Sequence, residues 1–266
     1  MTATLAHSIV PADRLPYDGR PVRFMVTCLC DAFFDEAARA AVEVLEHLGV
    51  EVDFPPDQTC CGQPAFNAGD WEAARKVVRS MLAAFEGEGA IVVPSGSCVS
   101  MVLHGAPMAF EGRPEAEQVH ELARRTWELA DFIVHGLGVT AWPGHHDGPV
   151  ALHHSCHCRG TRSVEAARTL LASIEGLELV DYAEREQCCG FGGAFSVSFP
   201  ETSKRVGHLK MQHLLENAPR YVASLDTGCL LHLGGLMDRE GVSVERRHVA
   251  QILRDALKNE RPREEV

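Results

Sequence analysis

Eight of the ten cysteines fall into two copies of one pattern. The first copy runs Cys28, then Cys60-Cys61-Gly62, then Cys98; the second runs Cys156, then Cys188-Cys189-Gly190, then Cys229. In both, 31 residues separate the lone cysteine from the adjacent pair, and 36 or 39 residues separate the pair from the last cysteine. The remaining two, Cys30 and Cys158, obey the same offset of 128 positions as Cys28 and Cys156. Such a repeat implies a duplicated fold and a thiolate-rich site, or a pair of them. Export-type disulfides fit poorly. The chain is long, residues 1–20 lack the basic start and apolar stretch of a secretory signal, and the cysteines lie in helix–strand context. Reduced thiols in the cytoplasm are expected, used for metal or redox chemistry.

The order of elements supports duplication. Short β-rich runs alternate with helical patterns, and each cysteine segment follows a strand. Val22–Thr27 leads to Cys28, and Val50–Phe54 with Pro55-Pro56 leads to Cys60. Ala90–Val93 leads to Cys98; Val150–His153, Leu177–Tyr182 and Tyr221–Leu225 play the same parts in the second half. Asp31 is placed to cap a helix with apolar positions Phe34, Ala38, Ala41, Val42, Leu45 and Leu48, and Asp70 to start one reaching about Phe85. Helices are read over Val164–Ile174, Glu201–Glu216 and from about Arg247 to Lys258, with a last strand over Val242–Glu245. Gln118–Leu137 reads as helix, and Glu111–Pro114 and Trp142–Pro149 as loops or linkers.

This alternation predicts an α/β protein: two duplicated Rossmann-like βαβ halves with mainly parallel sheets and cysteine loops at the strand carboxyl ends, where ligands bind in open α/β folds. The expected division is an N-terminal arm over 1–20, loosely ordered, and a first half over 21–117. A connecting helix and loop over 118–148, a second half over 149–258 and a solvated tail over 259–266 complete it. The chain is 45% apolar and 23% charged, ordinary for a globular protein. No apolar run approaches the roughly 18 residues of a membrane span. A formal charge of −12 disfavours phosphate backbones, so nucleic acid is not an expected partner.

Thiolates suit zinc or iron–sulfur clusters. Structural zinc usually draws on closely spaced pairs such as C-x-x-C, which are absent from the two quartets. Adjacent cysteines leave an extended backbone in different directions, awkward for one small ion and workable for a larger multi-iron object. The glycine after each pair admits positive φ and close approach of a cofactor, and N–H groups in such a turn can bond to sulfur. Gly190-Phe191-Gly192-Gly193 is not a dinucleotide fingerprint, because Phe195 occupies the place of the third glycine. No other flavin or nicotinamide motif is visible.

The segments FMVTCLCDAFF, TCCGQPAFNAG, VVPSGSCVSM, HHSCHCRG, QCCGFGGAFSVSFPETS and DTGCLLHLGG carry a specific resemblance. They resemble proteins with the CCG cysteine-rich domain, and within them the lactate utilization protein A family, over nearly the whole chain after about residue 21. The resemblance implies an iron–sulfur electron-transfer subunit of a complex oxidising L-lactate to pyruvate. Such an oxidoreductase subunit works with partners, among them a second iron–sulfur protein, and meets the 2-hydroxy acid through the complex. Heterodisulfide reductase and the iron–sulfur subunit of glycolate oxidase are more distant relatives; the alternatives they suggest are a thiol–disulfide redox subunit and a glycolate oxidase-type iron–sulfur subunit. One departure matters. Heterodisulfide reductase-type relatives end the motif in C-x-x-C, whereas Met101 follows Cys98 here and His232 follows Cys229. Their five-thiol cluster is therefore not assumed. One or two clusters of 4Fe–4S type are expected, on Cys156, Cys188, Cys189 and Cys229 and on Cys28, Cys60, Cys61 and Cys98. The first half either holds a cluster or serves as a partner-facing or degenerate copy.

Other residues are weaker candidates. Cys30 and Cys158 read as spare thiols at strand–helix junctions, with replacement of a missing fifth ligand as the alternative. His153, His154 and His157 flank Cys156. His154, His157 and His232 are considered as ligands or proton carriers, although an isolated histidine is more often structural; Met101 reads as core. A zinc-bound or metal-free assembly protein is the third functional class.

Overall fold

The computed structural model describes residues 8–259. Two four-stranded sheets are present, and every strand pair in both is parallel. The first contains β1 (Val22–Phe24), β2 (Val52–Asp53), β3 (Ile91–Val93) and β4 (Thr126–Glu128), in the order β2-β1-β3-β4. The second contains β5 (His145–His153), β6 (Glu175–Leu179), β7 (Tyr221–Ser224) and β8 (Glu245–His248), in the order β6-β5-β7-β8. The two orders are the same, so the duplication seen in the cysteines is a duplication of topology. The central strands explain themselves. Ile91-Val92-Val93 and Tyr221–Ser224 are buried throughout, as strands covered on both faces must be.

Each sheet reverses its winding between its first and third strands, β1/β3 and β5/β7. A parallel sheet opens a crevice at such a switch point, outside the strand carboxyl ends. Cys28 and Cys98 follow β1 and β3; Cys156 and Cys229 follow β5 and β7.

The halves are fused by one apolar core. Phe24, Cys30, Ala41, Val44 and Leu45 of the first half pack in the same cluster as Leu152, Cys158, Leu170, Val249 and Ile252 of the second. The helix Asp35–His47 buries an alanine-rich stripe there and lies against the helix Val249–Lys258, with Arg254 Nη1 2.9 Å from Glu36 Oε2. Each half also keeps a private core, around Met81, Phe85 and Phe110 in one and Met211, Leu214 and Leu233 in the other.

Several local expectations need correction. Asp31 lies inside the helix Cys28–Phe33 and caps nothing; the next helix begins at Asp35 with no side-chain cap. Asp70 does cap the helix Trp71–Ala84, its Oδ1 accepting from Ala73 N at 3.0 Å. Gln118–Leu137 is not one helix. A helix ends at Arg125, β4 follows, and helical structure resumes at Leu129. The open edge of β3 takes Thr126–Glu128 as a strand, and pairing overrides the helical periodicity. Strand β5 begins at His145, inside the stretch read as loop, and the last strand is Glu245–His248, displaced from Val242–Glu245.

The segment 8–20 is bound to both halves. Ile9 N donates to Gly160 O and Leu15 N to Arg124 O, each at 3.0 Å. Buried Arg14 meets Asp131 at 2.5 Å and lies over the Trp127 ring. Residues 1–7 and the tail from Glu260 lie outside the described residues. Among the described residues, no helix is long and apolar enough to cross a membrane.

Candidate metal centre

Sulfur atoms from all eight motif cysteines line one cavity of about 160 Å³ between the halves. Within each quartet the adjacent cysteines part company. Cys60 Sγ lies 3.8 Å from Cys28 Sγ, and Cys188 Sγ 3.9 Å from Cys156 Sγ. Their neighbours turn inward: Cys189 Sγ is 3.2 Å from Cys229 Sγ, and Cys61 faces Cys98 in the corresponding place. Cys61, Cys98, Cys189 and Cys229 are buried, Cys60, Cys156 and Cys188 half-buried, and Cys28 exposed. The cavity therefore has a buried floor and an open edge at Cys28.

The glycine turns are nearly superimposable in backbone angle. Gly62 has φ 90° and Gly190 φ 91°, a conformation that costs a residue with a Cβ. In this turn Gly62 N donates to Cys60 Sγ at 3.4 Å and Gly190 N to Cys188 Sγ at 3.3 Å. Phe191 N adds a bond to Cys189 Sγ at 3.5 Å. The charge distribution follows. Hydrogen bonds from Cys28 first, then Cys61 and the Gly62 N–H, pull Cys60 down to about 2. Bonds from Cys156, Cys189 and Gly190 N–H do the same for Cys188, also to about 2. Their partners Cys28 and Cys156 are pushed up by the same pairing and by burial. Cys61 and Cys189 rise as well, through hydrogen bonding to their neighbours and then desolvation. In each site Cys60 or Cys188 is the thiol most readily ionised, and binding a metal displaces protons from ligand thiols.

The donor set fits a metal cluster. Four soft thiols converge in each half, amide N–H groups reach the sulfur atoms, and the floor thiols are buried. Strain is present too. Thr27, immediately before Cys28, holds φ 69° and ψ 146°, costly for a β-branched residue. Ser155 precedes Cys156 in an ordinary extended conformation, with Oγ 3.6 Å from Cys229 Sγ.

Asp226 ties the two halves beneath the cavity. Its Oδ2 accepts from Ser97 N at 2.7 Å across the boundary, and its Oδ1 accepts from Gly228 N at 3.2 Å. Gly96 N donates to Leu225 O at 3.1 Å.

The weaker candidates separate cleanly. His157 faces the cavity, with Nδ1 3.6 Å from Cys156 Sγ. His154 turns to Glu186 at 3.4 Å, and His232 to the hydroxyl and carbonyl of Ser203 at 3.3 and 3.4 Å. Met101 is buried in the first private core. Cys30 and Cys158 line none of the cavity and lie buried in the core between the halves. Cys158 packs against Gly96, and Cys30 contacts Thr227, which follows Asp226 as Gly96 follows Ser95. Each spare thiol thus plugs the other half's last cysteine loop. Burial raises Cys30 to about 11 and holds Cys158 well above the ordinary thiol value.

Two residues were missed by the sequence reading. Lys210 is fully buried, and its Nζ donates to Glu184 O and Arg185 O at 2.9 Å each, holding the loop that delivers Cys188. Burial lowers it to about 8. The signal was a lysine in the buried stripe Ser203, Gly207, Lys210, Leu214. His153, noted only as a neighbour of Cys156, ends β5 with its ring against Cys189 and Cys229. The signal was a polar residue closing the apolar run Val150-Ala151-Leu152.

Two copies of one fold, each carrying a Cys-Cys-Gly turn beneath a shared cavity, define a CCG cysteine-rich domain protein. The cysteine-rich domain family model matches twice, over residues 22–102 and 150–234. Lactate utilization protein A of Oceanobacillus iheyensis is 42% identical over 234 residues, covering 87% of this chain and 96% of that protein. Lactate utilization protein A 1 of Bacillus anthracis is 39% identical over 238 residues, covering 89% and 98%. The chain belongs to the lactate utilization protein A family. A hypothetical protein from Helicobacter pylori shares the fold at a TM-score of 0.56 and 11% identity, over 97% of this chain and 53% of that one.

Proposed function

We propose that this protein is an iron–sulfur electron-transfer subunit of a complex that oxidises L-lactate to pyruvate. The observation that carries the reading is the convergence of both cysteine quartets on one cavity, with a glycine N–H aimed at a sulfur in each. The names of the relatives supply the pathway. Cys28, Cys60, Cys61 and Cys98 would hold one cluster, and Cys156, Cys188, Cys189 and Cys229 another, each of 4Fe–4S type. Such clusters supply one-electron storage and transfer.

The chain's own residues do the rest. Gly62 N–H and Gly190 N–H withdraw charge from the sulfur atoms, and the ammonium of Lys210 adds a positive charge behind the second quartet. Buried Cys61, Cys98, Cys189 and Cys229 keep water from the floor. The exposed Cys28 edge is where a partner's redox centre approaches. Hydride removal from lactate falls to a partner subunit or to a route other than a recognised flavin or nicotinamide motif.

Anaerobic purification with iron and acid-labile sulfide analysis, followed by lactate-driven reduction in the presence of the partner subunits, tests this. Iron and sulfide near four each per occupied quartet, lost at the second quartet in the Cys188→Ala/Cys189→Ala double variant together with electron transfer, is the expected result. A colourless protein holding zinc without sulfide, or full electron transfer by the double variant, refutes it.

A further inference from the structure

The two halves differ beside the buried thiols of each quartet. His153 closes β5, is 1% exposed, and has a hydrogen-bond partner on neither Nδ1 nor Nε2. A ring nitrogen of His153 and the Sγ atoms of Cys189 and Cys229 all lie within 4.8 Å of one another. At the offset of 128 the first half has Met25, buried in an apolar core cluster beside Cys61 and Cys98.

A structural histidine in a core is held by its hydrogen bonds, and leaving such polar groups buried and unpaired costs about 1–3 kcal/mol. His153 has no such partner within the described residues, and its surroundings offer sulfur. Imidazole nitrogen and thiolate sulfur together form a common donor set for zinc and for iron centres. Cys189 Sγ and Cys229 Sγ are 3.2 Å apart and the His153 ring nitrogen lies within 4.8 Å of both, so the imidazole is within reach of a centre held by these thiols.

We propose that His153 is a ligand of the second-half metal centre, its ring nitrogen taking one iron of the cluster while thiolates of the quartet hold the others. The second centre is then a mixed nitrogen–sulfur site and the first, with Met25, an all-sulfur site. This rests on the reading that the second quartet binds metal. Replacing thiolate by imidazole removes negative charge from a cluster and raises its reduction potential. The second centre is therefore the stronger electron acceptor, and electrons entering the protein settle there.

The test uses the full chain, purified anaerobically with 15N-labelled histidine and, separately, with histidine at natural abundance. Metal and sulfide are quantified first. Pulsed EPR of the reduced protein then reads directly coupled histidine nitrogen, and X-ray absorption at the metal edge reads imidazole scattering whether or not the centre is paramagnetic. Wild-type protein is expected to show one coupled histidine nitrogen, and His153→Met to lose it and to lower the potential of one centre. A wild-type protein with metal in both quartets but no histidine coupling or scattering overturns this inference alone. Absence of metal overturns the function proposed above and this inference with it. The wild-type measurement decides the matter even if His153→Met fails to fold.

Discussion

The two Cys-Cys-Gly turns differ in what surrounds them, and that difference can be measured. Alanine at either glycine must adopt a φ near +90°, which costs about 1–2 kcal/mol. At Gly62 the new Cβ would lie 3.3 Å from Ala74 O, tight but accommodated by a shift of a few tenths of an ångström. At Gly190 it would lie 2.5 Å from Ser203 O and 3.0 Å from Gly207 N, both backbone atoms of the helix Pro200–Leu214. No rotamer change relieves that clash, so an overpacking cost of about 1–3 kcal/mol adds to the backbone cost. Gly190→Ala should therefore lose more stability than Gly62→Ala by that amount, equivalent to roughly 2–12 °C in Tm for a chain of this size. Thermal unfolding of both variants, reduced and metal-chelated so that cofactor loss does not enter, checks the stability term. Metal content of the unchelated proteins checks the site, because displacing the turn moves the Gly190 N–H away from Cys188 Sγ. Equal losses in the two variants would mean that the second turn is not pinned by its helix, and the reasoning would be wrong.

Two further outcomes follow from buried groups. Gly96→Ala drives a Cβ into Cys158 Sγ and should cost about 1–3 kcal/mol, most of it recovered by adding Cys158→Ala. A double-mutant cycle in urea in which the two changes simply add would refute that contact. Burial pushes Glu128 up to about 8 from an ordinary 4.5. With the folded value above the unfolded one, its contribution is fully present below pH 4.5 and is lost as pH rises through about 8. The span is at most on the order of 5 kcal/mol. Glu128→Gln should flatten stability over that window and be the more stable protein at its alkaline end. An unchanged pH slope in urea unfolding would count against it.

The duplicated cysteine spacing, with strands ahead of each cysteine, was enough to read a repeated parallel α/β architecture. Strand periodicity and caps such as Asp70 are local, so they survive in one dimension. Strand β4 was not legible because Thr126-Trp127-Glu128 becomes a strand only by pairing with β3, across more than thirty intervening residues. The same holds for the start of β5 and for residues 8–20, whose order comes from contacts with Gly160, Arg124 and Asp131.

For the candidate site, chain order named the eight thiols and the glycines, because the chemistry of each is carried by residue type and close spacing. What it could not state is that the two quartets open onto one cavity, or that Cys30 and Cys158 pack across the boundary between halves. Nor could it show His153 stranded beside two sulfur atoms while Met25 fills the equivalent place with methyl and thioether. Those facts depend on how two sheets are docked, and docking is set by the summed burial of the core the halves share, a quantity no single motif contains.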